Sequence, residues 1–143
     1  MAGMGFLLLL VVGVLYLFGF KIPPTLPAES EKLVEVYGHG GLCPDGECRS
    51  RAVIYRSGKV LNYGNDLVNI SRSEIDSLFN LILRTDFEKI RAVKFTELCP
   101  TSVDGLEYVY TFYLSDRKEE LRTCTSKIDM SSELFRKINQ FTR

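Results

Sequence analysis

The sequence predicts an α+β fold: an antiparallel sheet made from two β-hairpins, with two helices packed on one face, preceded by an N-terminal transmembrane helix. Three observations support this fold class. The first 20 residues contain no charged side chain. Two pairs of β-rich segments are each separated by a short turn sequence, as in β-hairpins. Each pair is followed by apolar residues at helical spacing, and helices on one face of an antiparallel sheet are typical of α+β domains.

The apolar segment at residues 1–20 is long enough to cross a membrane. Residues 6–20 are almost entirely Leu, Val, Phe, Tyr and Gly. A helix of this length spans about 30 Å, which matches the hydrocarbon core of a bilayer. A helix that packs on the core of a soluble protein carries a polar stripe on its other side, and this segment has none. We therefore expect membrane insertion.

Two interpretations of this segment stay open, a retained anchor and a cleaved signal peptide. The sequence favours the anchor, because residues 1–4 lack a basic side chain and residues 26–28 are a poor cleavage site. No cysteine directly follows the apolar segment, so lipoprotein acylation has no acceptor. Residues 21–30 hold three of the five prolines and predict an extended linker.

Composition limits the function of the remaining segment, residues 31–143. The chain has 18 Lys+Arg and 18 Asp+Glu, so its formal net charge is zero. General nucleic-acid binding requires a basic surface, and we expect no nucleic-acid partner. About 110 residues is a common size for one domain. The single histidine excludes any site that needs two.

The first half of this domain predicts a strand followed by a hairpin. Residues 32–37 are β-rich, and the glycine-rich residues 38–41 are expected to end that strand. Residues 51–56 and 59–63 are β-rich segments that flank a Ser-Gly turn.

A helix at residues 72–83 is the clearest local prediction. Ser71 and Glu74 have the spacing of a capping box, in which each side chain binds the backbone N–H of the other residue. Apolar residues then follow at helical spacing. Residues 86–91 predict a further short turn, capped by Thr85.

The second half repeats this order with a hairpin and a helix. Residues 107–114 alternate around an aromatic face, residues 115–118 form the turn, and residues 119–124 form the return strand. Asp129 or Ser131 is expected to cap the last helix, which presents an apolar stripe to the sheet.

The four cysteines, Cys43, Cys48, Cys99 and Cys124, allow three disulfide pairings. The Pro-Asp-Gly turn between the first two lets their sulfurs meet, which leaves the other two as a second pair. A zinc site with four thiolates and reduced buried thiols are the alternatives, but the spacing does not favour zinc. Disulfides form outside the cytoplasm, so this pairing predicts an extracytoplasmic domain on a single-pass anchor.

The sequence contains no recognisable catalytic constellation. His39 is a candidate metal ligand or general base, although a solvated loop histidine is the favoured interpretation. Asp45, Glu47 and Asp104 lie in predicted turns, where such residues form local hydrogen bonds. We therefore assign no catalytic residue, no metal site and no cofactor.

Aromatic residues supply the candidate binding surface. Tyrosine suits binding surfaces because it offers a large contact area and a polar tip. The alternative, which the pattern favours, is that these residues form the covered face of the sheet. The candidates are Tyr55, Tyr63, Tyr108, Tyr110 and Phe112.

Residues 48–64, CRSRAVIYRSGKVLNYG, resemble a bacterial family of small extracytoplasmic domains of unknown function, often found in lipoproteins. In that family a cysteine leads into an alternating strand, a Gly-containing turn, a Val strand and Tyr-x-Gly. Ser57-Gly58, Val60 and Tyr63 match the turn and the second strand. Arg49 replaces an expected proline, and the lipidated cysteine is absent. The resemblance implies the fold and the extracytoplasmic location, and no active site.

Together these features predict a membrane-anchored, disulfide-stapled module that binds a protein or an envelope polymer. Two alternatives remain. One is a small extracytoplasmic enzyme with a site between Gly38 and Cys48. The other is a purely structural component of the envelope.

Overall fold

A computed structural model of the chain describes residues 31–44, 46–62 and 67–142. The predicted membrane segment at residues 1–20, the predicted linker at residues 21–30 and Tyr63 lie outside the described residues. Within the described ranges, no helix is long and apolar enough to span a bilayer.

The described residues form an α+β domain, as the sequence predicts. The strands are β1 (Lys32–Cys43), β2 (Gly46–Tyr55), β3 (Lys59–Asn62), β4 (Leu67–Asn69), β5 (Glu107–Tyr113) and β6 (Lys118–Arg122). The helices are α1 (Arg72–Arg84), α2 (Phe87–Ala92) and α3 (Glu133–Phe141), and residues Pro100–Val103 form a short 3₁₀ helix.

The strands of the described region form one six-stranded sheet in the order β4-β3-β2-β1-β5-β6. Every neighbouring pair is antiparallel. The central strand is β1, which joins the first hairpin to the second. The sheet is therefore larger than two hairpins, because the first strand pairs on both edges and the short β4 extends one side.

The prediction that β1 ends at the glycines is wrong, because the strand continues to Cys43. Gly38 pairs with Ser50 on one side and Tyr108 on the other. A Cβ at Gly38 would meet the Ser50 hydroxyl first and would lie 3.0 Å from Cε1 of Tyr108, so the missing side chain makes room for both neighbours. Gly40 has a φ of 107° and stands at a register shift, which identifies a β-bulge rather than the end of the strand.

The predicted capping box at the start of α1 is confirmed. The Ser71 hydroxyl accepts a hydrogen bond from the Glu74 N–H at 3.3 Å, and the Glu74 carboxylate accepts one from the Ser71 N–H at 3.1 Å. Two backbone donors at the start of the helix are paired in this way, and the Glu74 N–H also donates to the Ser71 carbonyl oxygen at 3.1 Å. The helix ends at Arg84, one residue beyond the prediction.

The predicted caps of the other helices are wrong. Asp86, not Thr85, caps α2, and its carboxylate accepts a hydrogen bond from a backbone N–H in the first turn. Thr85 instead ends α1. Asp129 binds the N–H of Ser131, forming a local turn, and α3 begins only after Ser132. Several Ser and Asp residues in a row offer more than one possible cap, and side-chain packing of the helix decides among them.

The core lies between one face of the sheet and the helices. The Phe112 ring of β5 lies 4.9 Å from the Phe87 ring of α2, centroid to centroid, and 6.4 Å from the Phe135 ring of α3. Phe112 is fully buried, and burial of such a side chain contributes about 1.5–3 kcal/mol. The opposite face of the sheet, which we call the open face, carries Glu35, Tyr37 and other residues that alternate with the core positions.

Candidate functional site

The structure contains two disulfides, Cys43–Cys48 and Cys99–Cys124, with Cα–Cα distances of 5.2 and 5.3 Å. This is the pairing that the sequence favours. The first bond closes the tip of the β1–β2 hairpin, and the second ties the segment before the 3₁₀ helix to the turn after β6. All four thiols of the chain are used, which leaves none for a four-thiolate zinc site. Among the described residues, no three His, Cys, Asp or Glu side chains cluster in a way that could hold a metal ion.

His39 lies in a strand rather than in a flexible loop. Its ring stacks on Tyr37 with the centroids 5.6 Å apart, and its Nε2 atom is 3.4 Å from a carboxylate oxygen of Glu107. These residues belong to the open face of the sheet. Asp104 accepts a hydrogen bond from the Leu42 N–H, which fastens the 3₁₀ segment to the β1 bulge. The structure therefore brings His39 to one carboxylate, while Asp45 lies outside the described residues.

Most of the predicted aromatic surface is core. Tyr110 and Phe112 are buried beneath the helices, with exposed fractions of 2% and 0%, and Tyr55 is buried on the open face. Tyr108 is 36% exposed. It lies on the same face of β5 as Tyr110 and Phe112 but beyond the part that the helices cover. Of the candidates that the structure describes, Tyr108 alone exposes its ring, and Tyr110 takes part only through the cleft described next.

Tyr108 leads into a cleft of about 630 Å³ between the helix-covered face of the sheet and the end of α3. We call this the amide cleft. Its floor is the apolar surface of Val36 and Ala52. Its polar groups are amides and hydroxyls, contributed by Ser50, Asn62, Tyr108, Tyr110, Asn139 and Thr142.

Charged side chains contribute little to the amide cleft. Arg51 borders it, but the Arg51 Nε atom donates to the Glu35 carboxylate at 2.6 Å on the open face. The Tyr110 hydroxyl faces the Met130 sulfur at 3.9 Å, and burial raises the pKa of Tyr110 to about 12. The phenol therefore stays neutral and can donate a hydrogen bond at physiological pH.

Asn62 is the most informative residue of the amide cleft. Its side-chain oxygen is buried and has no hydrogen-bond partner in the described part of the protein. Leaving such an acceptor unsatisfied costs about 1–3 kcal/mol. Asn62 pairs with Ala52 across the sheet, so its side chain lies on the cleft side. A ligand that donates a hydrogen bond here would remove that cost.

Tyr108 forms one wall of the amide cleft and is held in place by the strands beneath it. Its ring lies over Gly38, and its N–H donates to the Thr123 hydroxyl at 2.9 Å. Gly38 is therefore part of the site, because an added side chain would press on both the Ser50 hydroxyl and the Tyr108 ring, which line the cleft. A fixed, partly exposed aromatic face beside amide groups can stack on a flat apolar surface while neighbouring groups form hydrogen bonds.

Sequence reasoning identified Tyr108 and missed Asn62, Asn139 and Thr142. Asparagine and threonine are common in turns and at helix ends, so the sequence gives no signal that they meet. Asn62 lies in the second strand of the predicted hairpin and Asn139 lies in the last helix, 77 residues away in numbering. Only the packing of α3 across the sheet brings them to one cleft.

No protein-family model matches the chain, and no curated protein matches it. The family resemblance noted in the sequence therefore stays a prediction.

Proposed function

We propose that the protein is a membrane-anchored, extracytoplasmic binding module, and that its amide cleft takes a neutral saccharide unit of an envelope polymer. Two features support the location: the apolar residues 1–20, and the four cysteines, which pair as they would in an oxidising compartment. The resemblance to small extracytoplasmic domains supports the same location.

The single observation that carries the binding role is the unpartnered side-chain oxygen of Asn62. Buried acceptors are normally satisfied, so an orphan inside a cleft indicates a missing donor. Sugar hydroxyls are donors without charge. The Tyr108 ring supplies a flat surface for the apolar face of a sugar ring, and the neighbouring groups are neutral amides and hydroxyls.

A small enzyme is the competing proposal. Its supporting contact is the 3.4 Å approach of His39 to Glu107. That pair lies on the open face and does not line the amide cleft. The enzyme proposal therefore needs catalytic groups that the described structure does not bring together, whereas the groups needed for binding line one cleft.

The proposal is tested by titrating the full chain, held in neutral detergent micelles, with oligosaccharides of N-acetylglucosamine. Binding is followed through the side-chain amide signals of Asn62 and Asn139 in NMR spectra. We expect these signals to shift, and Asn62→Ala should weaken binding at least about ten-fold, because one hydrogen bond and one buried amide are lost. Asn80→Ala removes an exposed amide on α1 and is the matched control.

Two results would count against this function. Equal weakening by the Asn62 and Asn80 variants would show that the amide cleft is not the site. Absence of any shift with neutral saccharides, together with shifts on adding a peptide, would favour a protein partner instead. Free thiols in the oxidised protein, counted by alkylation, would contradict the extracytoplasmic location.

A further inference from the structure

A second cleft, of about 650 Å³, lies at the opposite end of the sheet from the disulfides. We call it the basic cleft. The start of β1 and the β5–β6 turn form its walls, together with the residue that follows β2. Glu31 lies beside this cleft, because its backbone carbonyl oxygen accepts a hydrogen bond from the Arg56 N–H at 2.8 Å. The basic cleft is therefore beside the point where residues 21–30 lead into the domain.

Four cationic residues and one acidic residue line the basic cleft: Lys32, Arg56, Arg117, Lys118 and Asp116. Two of the cations are neutralised by carboxylates. Lys32 lies 3.1 Å from Glu35, and Arg117 lies 2.7 Å from Glu119 and 3.1 Å from Asp116. These ion pairs hold the walls of the cleft in place. The positive charge of the cleft therefore comes from the other two cations.

Arg56 and Lys118 have no carboxylate partner among the residues that the structure describes. The Arg56 guanidinium donates to the Tyr113 carbonyl oxygen at 2.7 Å and lies 5.1 Å from the centre of the Phe79 ring. The Lys118 ammonium lies 4.9 Å from the centre of the Tyr113 ring. Each side chain is thus held in place by groups that leave its positive charge intact. Two such cations beside one cleft form an anion site.

We propose that the basic cleft binds the phosphate of an anionic phospholipid headgroup. The inference rests on the proposed membrane anchor. Ten residues separate the apolar segment from Glu31, and even a fully extended chain of that length reaches no more than about 36 Å. The basic cleft is at the domain end that this linker must approach, so its charges lie nearest to the bilayer. A headgroup bound there would hold the domain against the membrane surface.

The test reconstitutes the full chain into vesicles of phosphatidylcholine, with and without phosphatidylglycerol. The rate at which a water-soluble anhydride acetylates Lys118 is measured by mass spectrometry. Lys127, an exposed lysine beyond the other end of β6, is the internal control. We expect phosphatidylglycerol to slow acetylation of Lys118 about five-fold, as contact with an anionic surface would, and to leave Lys127 unchanged.

Two variants sharpen the experiment. Arg56→Gln should abolish most of the protection of Lys118, whereas Lys127→Gln should leave it intact. Should the Arg56 variant fail to fold, the comparison of the two vesicle types with the unchanged protein still tests the proposal. A further sample in phosphatidylcholine vesicles receives inorganic phosphate, which separates lipid headgroups from free phosphate.

Four outcomes would overturn the inference. Equal slowing at Lys118 and Lys127 would mean that the bilayer repels the reagent or attracts the domain without a site. Full protection by inorganic phosphate would assign the cleft to a soluble anion. Failure of the chain to float with phosphatidylcholine vesicles would refute the membrane anchor itself, whereas flotation without protection of Lys118 would refute the headgroup site alone.

Discussion

Replacing Cys99 and Cys124 with alanine should destabilise the domain more than replacing Cys43 and Cys48. Each double substitution removes one disulfide and leaves the other in place. A disulfide stabilises a protein chiefly by limiting the conformations of the unfolded chain, so the longer closed loop should matter more. The two variants differ in loop length and are natural controls for each other.

The expected magnitudes follow from the two loop lengths. The sequence separation is 25 residues for Cys99–Cys124 and 5 for Cys43–Cys48. The chain-entropy relation gives about 3.5 kcal/mol for the longer loop and about 2 kcal/mol for the shorter one. The longer bond also ties the 3₁₀ segment to the sheet, where Asp104 meets β1, so local contacts should add to its effect.

The assay is urea unfolding of the full chain in neutral detergent micelles, followed by far-ultraviolet circular dichroism. The unmodified protein under reducing conditions provides the reference for loss of both bonds. We expect the slope of unfolding free energy against urea concentration to change as well, because a chain without the longer bond exposes more surface when unfolded.

The reverse order would contradict this prediction. If loss of Cys43–Cys48 cost more than loss of Cys99–Cys124, loop entropy would not be the main term, and local packing at the hairpin tip would have to dominate. Equal and negligible losses would show that neither bond forms in the folded protein.

Three further predictions concern single side chains. Ser71→Ala should lower the unfolding free energy by about 1 kcal/mol, because the N–H of Glu74 loses its capping acceptor. Gly38→Ala should cost about 1–3 kcal/mol, since the added methyl group meets the Ser50 hydroxyl and the Tyr108 ring, and it should also weaken saccharide binding. The third concerns pH. Burial raises the pKa of Glu35, but hydrogen bonds from Tyr113, Arg51 and Lys32 outweigh burial and hold it below its usual 4.5. The ionised form therefore stabilises the fold above that pH, and the stabilisation is lost as the pH falls through the lowered pKa. The advantage of the unmodified protein over Glu35→Gln should shrink as the pH falls below 4.5 and through the lowered pKa.

Urea unfolding checks each of these predictions, and each has its own contradicting result. An unchanged midpoint for Ser71→Ala would mean that water satisfies the helix end equally well. Normal stability of Gly38→Ala would show that Ser50 and Tyr108 can both move aside. If the stability difference between the unmodified protein and Glu35→Gln widens on acidification, the ionised Glu35 carboxylate does not stabilise the fold.

The sequence correctly predicted the features that depend only on residues close together in the chain. The capping box at Ser71 and the turn at Ser57-Gly58 involve residues within a few positions of one another, so their geometry follows from residue type. The disulfide pairing followed from the short loop between Cys43 and Cys48. The end of β1 was mispredicted because glycine is usually a strand breaker, whereas Gly38 leaves room for the Tyr108 ring of a strand far away in the chain.

The candidate sites depend on contacts between distant segments and could not be predicted in the same way. Asn62 and Asn139 line one cleft only because α3 packs on the same face of the sheet as the Asn62 side chain. Arg56 and Lys118 line one cleft because β1 pairs with both β2 and β5, which sets the ends of both hairpins side by side. The sequence of one chain does not show which distant segments pack together. Both clefts could therefore be identified only from the topology of the sheet.

The central position of β1 also determines how the domain responds to mechanical load. The described chain starts at Glu31, one residue before β1, so tension arriving from residues 21–30 acts along a strand that is hydrogen-bonded on both edges. Those bonds lie perpendicular to the strand and resist sliding together, instead of opening one after another as they would on an edge strand. A pull from the N-terminal side would meet the sheet in shear, the direction in which the most bonds must break at once.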